Sequence, residues 1–299
     1  MKDRFGRPVK HIRISINDDC NLDCFYCHRE GQIDSTKKMS PVEIEKILMV
    51  AKELGISRVK ITGGEPLIRK DLPDIIRRAS KYMSDVSLTT NGTLLGPLAE
   101  ILHEAGLNRV NISLDTLDGN RYGKITGKDL HGKVLDGISA AVRAGLHPVK
   151  INIVALFDSS MDELMKIVRE AWRLGAIPQI IEQVDMNSAG YPDITNVEKH
   201  ISSLAISERE RKVQGRKIYT MEDEDNNLKD VEVVRPMHNT RFCSKCSRIR
   251  VTCDGLLKPC LMHNEGLVDA LTPIRRGESM DELTKLFHEV IMNRYPYWR

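Results

Sequence analysis

Aromatic residues are scarce, 5% of 299 positions with two tryptophans, and no apolar run approaches the ~20 residues of a membrane-spanning helix. Strong charge of either sign is also missing: 45 Lys and Arg stand against 42 Asp and Glu, a formal net charge of +3. The two signs are interspersed, which argues against a nucleic-acid binder or a membrane-surface protein but leaves room for a local basic pocket. The opening Met1-Lys2-Asp3-Arg4-Phe5-Gly6-Arg7 has no apolar stretch of the secretory kind, so the expected location is the cytoplasm. Cysteine is not scarce, but seven of them fall into two tight groups. An odd number so arranged excludes a secreted disulfide framework and points to metal binding in a reducing compartment. A chain this long buries a core without disulfides, as one large domain or a large one with an appendage.

The first cysteine group, Cys20-Asn21-Leu22-Asp23-Cys24-Phe25-Tyr26-Cys27, lacks a fourth cysteine nearby. A structural metal site generally takes four protein ligands, whereas a reactive one keeps a position open. Three thiolates at this spacing hold one face of an iron–sulfur cubane or part of a zinc site, with His28 as a fourth ligand at an unusual spacing. A redox or catalytic cluster is the preferred reading, and zinc stays open.

From residue 10 to about 183, strand-like and helix-like segments alternate. Strands are expected at 10–16, 58–64, 85–91, 109–115, 148–156 and 177–183, and helices at 41–55, 71–83, 95–106, 131–145 and 161–175. Capping boxes begin at Ser40, Ser160 and Ser279, and Gly55, Gly106, Gly145 and Gly175 stand where helices should stop. A unit recurring six times implies parallel strands with right-handed crossovers, in an open sheet or a full or partial barrel. Within the strands, Ile12, Ile14, Val59, Ile61, Val110, Ile112, Leu114, Val149 and Ile151 alternate with Arg13, Ser15, Lys60, Thr62, Asn111, Ser113, Asp115, Lys150 and Asn152. An open sheet covered on both faces would be apolar on both, and a closed barrel fills its interior with branched apolar residues. Polar residues on one common face fit an incomplete barrel with a wet interior. Arg13, Lys60 and Lys150 would make its ligand anionic, unless they sit at strand ends and reach solvent.

Beyond 183 the pattern changes. Residues 185–204 show no clear period, Ser207–Lys212 reads as a charged surface stretch, and Arg216–Met221 with Val231–Val234 reads as a hairpin across a polar turn. A boundary near 205 divides a β/α region, 1–205, from a C-terminal region, 206–299. The latter holds Cys243, Cys246, Cys253 and Cys260. All four as ligands would suit a closed zinc, while Cys243, Cys246 and Cys260 alone would make a second open cluster. Arg248 and Arg250 beside Cys246 suit an anion site, or else a solvated face.

The three-cysteine stretch, with Tyr26 before its last cysteine, resembles the signature of radical S-adenosylmethionine enzymes, and Gly63-Gly64-Glu65-Pro66 resembles their glycine-rich motif. Adding Val59–Leu67, Leu88–Gly92, Val110–Asp115 and Phe242–Leu261 in that order, the chain resembles the GTP 3′,8-cyclase family of molybdenum-cofactor biosynthesis over residues 10 to about 265. The resemblance implies an incomplete (β/α)6 triosephosphate-isomerase-type barrel closed by a C-terminal region with a second 4Fe–4S cluster. It implies that Cys20, Cys24 and Cys27 hold a cluster whose fourth iron chelates S-adenosylmethionine, and that Cys243, Cys246 and Cys260 hold a cluster facing substrate. A 5′-deoxyadenosyl radical would abstract the C3′ hydrogen of GTP, and attack on C8 would give 3′,8-cyclo-7,8-dihydro-GTP. Cyclic pyranopterin monophosphate synthase would consume that product, and a flavodoxin or ferredoxin would supply electrons.

Carried over by position, Arg13, Lys60, Thr89, Lys150, Arg248, Ile249 and Arg250 correspond to GTP contacts, with Arg13, Arg248 and Arg250 in the catalytic set. Tyr26, Gly64, Ser113 and Val184, or Met186 in place of the last, correspond to S-adenosylmethionine contacts. A homodimer is a family expectation. Many relatives end in Gly-Gly, whereas this sequence ends Tyr295-Pro296-Tyr297-Trp298-Arg299, so either its lineage dispenses with the tail or the pocket is completed differently. Cys253 is extra, and as a fourth ligand it would close the second cluster. Other readings are a peptide- or haem-modifying radical enzyme with an auxiliary cluster, and a non-catalytic metal-binding module.

Overall fold

Polar and apolar residues alternate along the strands, and that alternation decides which face of the sheet is packed and which is hollow. The computed structural model describes residues 1–31, 37–184, 192–237 and 239–296. Six strands run through the first part: β1 (His11–Ser15), β2 (Arg58–Thr62), β3 (Asp85–Thr90), β4 (Arg109–Ser113), β5 (Val149–Ala155) and β6 (Ile177–Glu182). Each pairs with the next, and all are parallel. Between them lie α1 (Pro41–Glu53), α2 (Leu72–Ser80), α3 (Ala99–Glu104), α4 (Gly119–Thr126), α5 (His131–Arg143) and α6 (Met161–Arg173). The apolar strand residues Ile12, Ile14, Val59, Ile61, Val110, Ile112, Val149 and Ile151 are at most 2% exposed and belong to one continuous core. Each such side chain contributes roughly 1.5–3 kcal/mol by leaving water.

Local signals account for the helix ends. Ser40 and Glu43 cap each other reciprocally, with the Ser40 Oγ accepting from the Glu43 amide and the Glu43 carboxylate from the Ser40 amide. Ser160 accepts from the Glu163 amide at 3.1 Å. Gly55, Gly106, Gly145 and Gly175 all have positive φ, between 76° and 107°, the left-handed turn that ends a helix and sends the chain into the next strand. Of the α-helices between β1 and β6, α4 was not expected; it is capped by Asp118, which accepts from the Arg121 amide at 2.7 Å.

The last part of the chain adds to both edges of the same sheet. After α7 (Thr195–Leu204), β7 (Ser207–Glu210), β8 (Lys217–Glu222) and β9 (Leu228–Val234) form an antiparallel set whose β9 lies parallel to β6. After α8 (Thr240–Ser244), β10 (Arg248–Val251) lies parallel to β1, followed outward by β11 (Leu256–Lys258) and β12 (Val268–Asp269). Helices α9 (Leu271–Arg276) and α10 (Met280–Met292) complete the described chain. The sheet runs β12-β11-β10-β1-β2-β3-β4-β5-β6-β9-β8-β7, a six-stranded parallel arc extended at both ends rather than a closed ring.

The expected hairpin is present with a longer second arm and a shorter turn, and residue 205 falls between α7 and β7. Two C-terminal readings change. Residues 195–204 form a helix, and Ser207–Glu210 form an edge strand whose four side chains are all exposed, so that no alternation marked it. Among the described residues no helix is long and apolar enough to cross a membrane.

Candidate active site

The hollow face of the arc encloses a cavity of about 640 Å³. Cys20, Cys24 and Cys27 line one part of it, and Cys243, Cys246 and Cys260 line another.

The first triplet is held by the ends of β1 to β5. Just beyond β1, the Asn17 side chain donates to the Glu65 carbonyl at 2.9 Å, while the Gly64 and Glu65 amides donate to the Asn17 and Asp19 carbonyls at 2.9 and 2.7 Å. The two backbones run so close that a Cβ at Gly63 would lie 2.0 Å from Asn17 Oδ1, and one at Gly64 would lie 2.2 Å from the Asp19 carbonyl. Glycine is therefore required by close approach. The buried Glu65 carboxylate accepts from the Leu67 amide (2.9 Å), the Thr90 hydroxyl (2.7 Å) and the Asn91 amide (2.7 Å), and burial pushes its pKa up to about 7. At the other end of the triplet the Tyr26 hydroxyl donates to Asp115, whose second oxygen accepts from the Val154 amide at 2.7 Å. Burial raises Asp115 to about 6.

The second group reaches the cavity through the β1–β10 pairing. The Lys10 and His11 amides donate to the Ser247 carbonyl at 3.0 and 3.1 Å, and the register sets Arg13 beside Arg250. Cys243 lies in α8, capped by Asn239, and Cys260 follows β11. Cys253 is fully buried, is not part of the cavity lining, and its carbonyl accepts from the Met39 amide at 3.1 Å. The cavity thus receives three C-terminal cysteines, in keeping with an open site rather than a four-cysteine one. Among the described residues no three His, Cys, Asp or Glu side chains converge on a single ion position. A cubane asks for no such convergence, because each thiolate takes its own iron.

Between the cysteine groups the wall is cationic. Arg13, Lys60, Lys150, Arg248 and Arg250 all line the cavity, with Arg13 registered against Lys60 on β2 and Arg250 on β10. They do not lie out in solvent at strand ends: Lys150 is 4% exposed. Lys60 Nζ donates across to Asn111 Oδ1 at 2.6 Å, and burial followed by the Arg13 charge pushes its pKa well below the usual lysine range. Lys150 pairs with Glu232, and burial outweighs that carboxylate to bring it down to about 8. Glu30 bridges Arg13 and Arg250 (2.6 Å to Arg250 Nη1) and accepts from the Thr62 hydroxyl at 3.1 Å. Burial opposes its charge, but the two arginines hold its carboxyl down to about 2.

Several lining residues escaped the sequence reading: His11, Arg58, Arg109, Arg211, Arg216 and Glu30. Arg58 and Arg109 were legible, since they lie two positions before Lys60 and Asn111 on the same inward face. Thr89, Tyr26, Gly64, Ser113 and Val184 line the cavity as expected. Ile249 does not: between two inward arginines its side chain turns to the packed face and is fully buried, so its backbone alone is left for a ligand contact. Met186 lies outside the described residues. The arrangement can bind a polyanion between two sets of thiols.

Residues 14–171 match the radical SAM superfamily, and residues 179–299 match Molybdenum Cofactor Synthesis C. A probable GTP 3′,8-cyclase of Pyrococcus abyssi is 48% identical over 304 residues, covering 99% of each chain. One from Methanothermobacter thermautotrophicus is 43% identical over 307 residues, covering 100% of this chain and 99% of its own. Among solved structures, anSMEcpe with bound AdoMet superposes with a TM-score of 0.66 at 17% identity, over 94% of this chain and 82% of the other. Streptococcus suis SuiB bound to S-adenosylmethionine gives 0.68 at 17% identity, over 89% of this chain but 64% of the longer SuiB chain. These two likenesses establish the fold, a partial barrel.

Proposed function

Since the chain belongs to the radical SAM superfamily and, along its whole length, to the GTP 3′,8-cyclase family, we infer that it catalyses GTP 3′,8-cyclisation in molybdenum cofactor biosynthesis. The observation that carries this is the cavity itself, one polycationic chamber with a cysteine triplet on either side. The thiol donor sets and their cavity-facing placement fit two 4Fe–4S clusters with S-adenosylmethionine, which when bound supply one-electron cleavage and a carbon radical for hydrogen abstraction at C3′.

The chain's own residues bind, orient and exclude water. Cys20, Cys24 and Cys27 would hold the first cluster and Cys243, Cys246 and Cys260 the second. Tyr26, Gly64, Ser113 and Val184 line the chamber and would shape the S-adenosylmethionine pocket. Arg13, Lys60, Lys150, Arg248 and Arg250 would grip the triphosphate, which charge-assisted hydrogen bonds from guanidinium forks hold in one register. Thr89 and the backbone at Ile249 would contact the nucleoside. Burial of these cations strengthens their pull on phosphate and keeps water from a reactive carbon centre. A flavodoxin or ferredoxin as electron donor, a homodimer and a cytoplasmic location complete the proposal.

The test is anaerobic incubation of reconstituted protein with dithionite, S-adenosylmethionine and GTP, read by mass spectrometry. Expected products are 5′-deoxyadenosine together with a cyclised GTP derivative. Deoxyadenosine formation indifferent to GTP would overturn the assignment.

A further inference from the structure

The second cysteine group rests on a buried charged knot made by the two ends of the described chain. Residues 2–8 fold into a small hairpin, closed by a Lys2–Pro8 bridge and turned at Gly6, whose φ is +76°. Asp3 is its centre. Asp3 Oδ1 accepts from the Phe5 and Arg7 amides at 3.0 and 2.9 Å, and Oδ2 accepts from Arg7 Nε at 2.7 Å. Arg294, just after α10, brings its guanidinium within 3.0 Å of the same Oδ2. All three side chains are nearly sealed from solvent, at 0% for Asp3, 7% for Arg7 and 2% for Arg294.

The remaining donors point at the cysteine loop. Arg7 Nη1 donates to the Cys243 carbonyl at 2.9 Å, and Arg294 Nη2 to the Cys246 carbonyl at 2.7 Å. The Arg4 side chain ties the hairpin to the end of α10 through the Met292 carbonyl at 2.6 Å. Two guanidiniums against one carboxylate leave the knot with a net positive charge beside two cavity-facing cysteines, and Arg7 and Arg294 themselves reach the cavity lining. Nothing in surface packing calls for such a cluster, and buried ions are costly unless fully paired. Charges held this close in a low-dielectric interior act strongly on one another, and the potential of an iron–sulfur cluster follows net local charge and hydrogen bonding around its ligands.

We propose that Asp3, Arg7 and Arg294 are positioning residues that set the geometry and the reduction potential of the cluster held by Cys243, Cys246 and Cys260. The proposal rests on the ligand reading above. Positive charge favours the reduced, more negative cluster, so removing Asp3's charge raises the potential and removing either arginine's lowers it.

The test is a redox titration of the holoenzyme followed by electron paramagnetic resonance, with iron content measured in parallel. Asp3→Asn is expected to shift the C-terminal midpoint upward, and Arg294→Gln and Arg7→Gln to shift it downward. Arg294→Lys should restore it, and the midpoint of the N-terminal cluster should stay fixed throughout. Shifts of one sign for all charge-removing variants, no shift, or equal shifts of both clusters would overturn the proposal. If Arg294→Gln does not load, Arg7→Gln against Asp3→Asn still gives the comparison of sign. Failure of all three to hold the second cluster would reduce the knot to a scaffold and would also overturn it. Cys246→Ser separates the two levels: a C-terminal signal that survives it refutes the ligand reading, whereas one that disappears leaves the sign test decisive.

Discussion

Lys150 is a cavity cation whose charge changes in an accessible pH range. Burial lowers it to about 8, so in the free protein it is charged below that pH and neutral above. The dependence of kcat/KM for GTP on pH should therefore show an alkaline fall centred near 8, because that parameter reports the free enzyme. Lys258 is also brought to about 8, but its ammonium is directed to the Gly31 carbonyl at 2.5 Å. Lys150→Arg distinguishes the two, and it should abolish the alkaline fall if Lys150 is responsible. Lys60→Ala and Arg248→Ala should each weaken GTP binding by roughly 1.5–3 kcal/mol, the range for hydrogen bonds to charged groups. S-adenosylmethionine binding, measured by equilibrium dialysis on the same preparations, should change far less. Cys253→Ser should leave iron content intact while lowering stability by roughly 1–3 kcal/mol, the cost of a buried hydroxyl. Loss of the C-terminal cluster signal in that variant would show that the buried thiol is a ligand after all. At this scale the inward cations were readable, because a strand places every second residue on one face. Glu30 was not, because it reaches Arg13 and Arg250 from a tight turn outside any strand, with φ of +54°.

The glycine-rich loop carries the clearest consequence for a single element. Gly64→Ala would drive a methyl into the backbone at Asp19, immediately before Cys20, so the first cysteine triplet should lose iron while the second keeps it. Spectroscopy that resolves the two clusters in the reconstituted variant checks this, and equal loss from both would contradict it. The expected strands and helices of the β/α region were legible within a few residues because each carries a period of 2 or 3.6, helped by the caps at Ser40 and Ser160 and the glycines after α1, α3, α5 and α6. Helix α7 was missed because Ile201 is its one buried residue and no apolar stripe marks it, and β7 because an edge strand exposed on all four residues has no inward face to reveal it. The antiparallel pair β10–β11 was hidden for a different reason: at four and three residues the strands are too short for a period to stand out.

At the level of the whole molecule, the C-terminal region is not an appendage laid on a finished domain. Its strands occupy both flanks of the six-stranded arc, β10 against β1 and β9 against β6. A fragment of residues 1–205 would expose two long hydrogen-bonding edges, the usual template for aggregation. It should therefore be recovered as aggregate, while the full chain unfolds in one transition by calorimetry; a monomeric, cooperatively folding fragment would show the division near 205 to be a true domain boundary. The same topology has a consequence in time. β1 leaves the ribosome well before its neighbour β10, which emerges only after more than two hundred further residues. Contacts of such separation form late. Nascent chains stalled before Arg248 should stay open to protease along β1, and a polyanion should find no complete chamber in them. The substrate site is then completed only once the chain past Arg248 has been made.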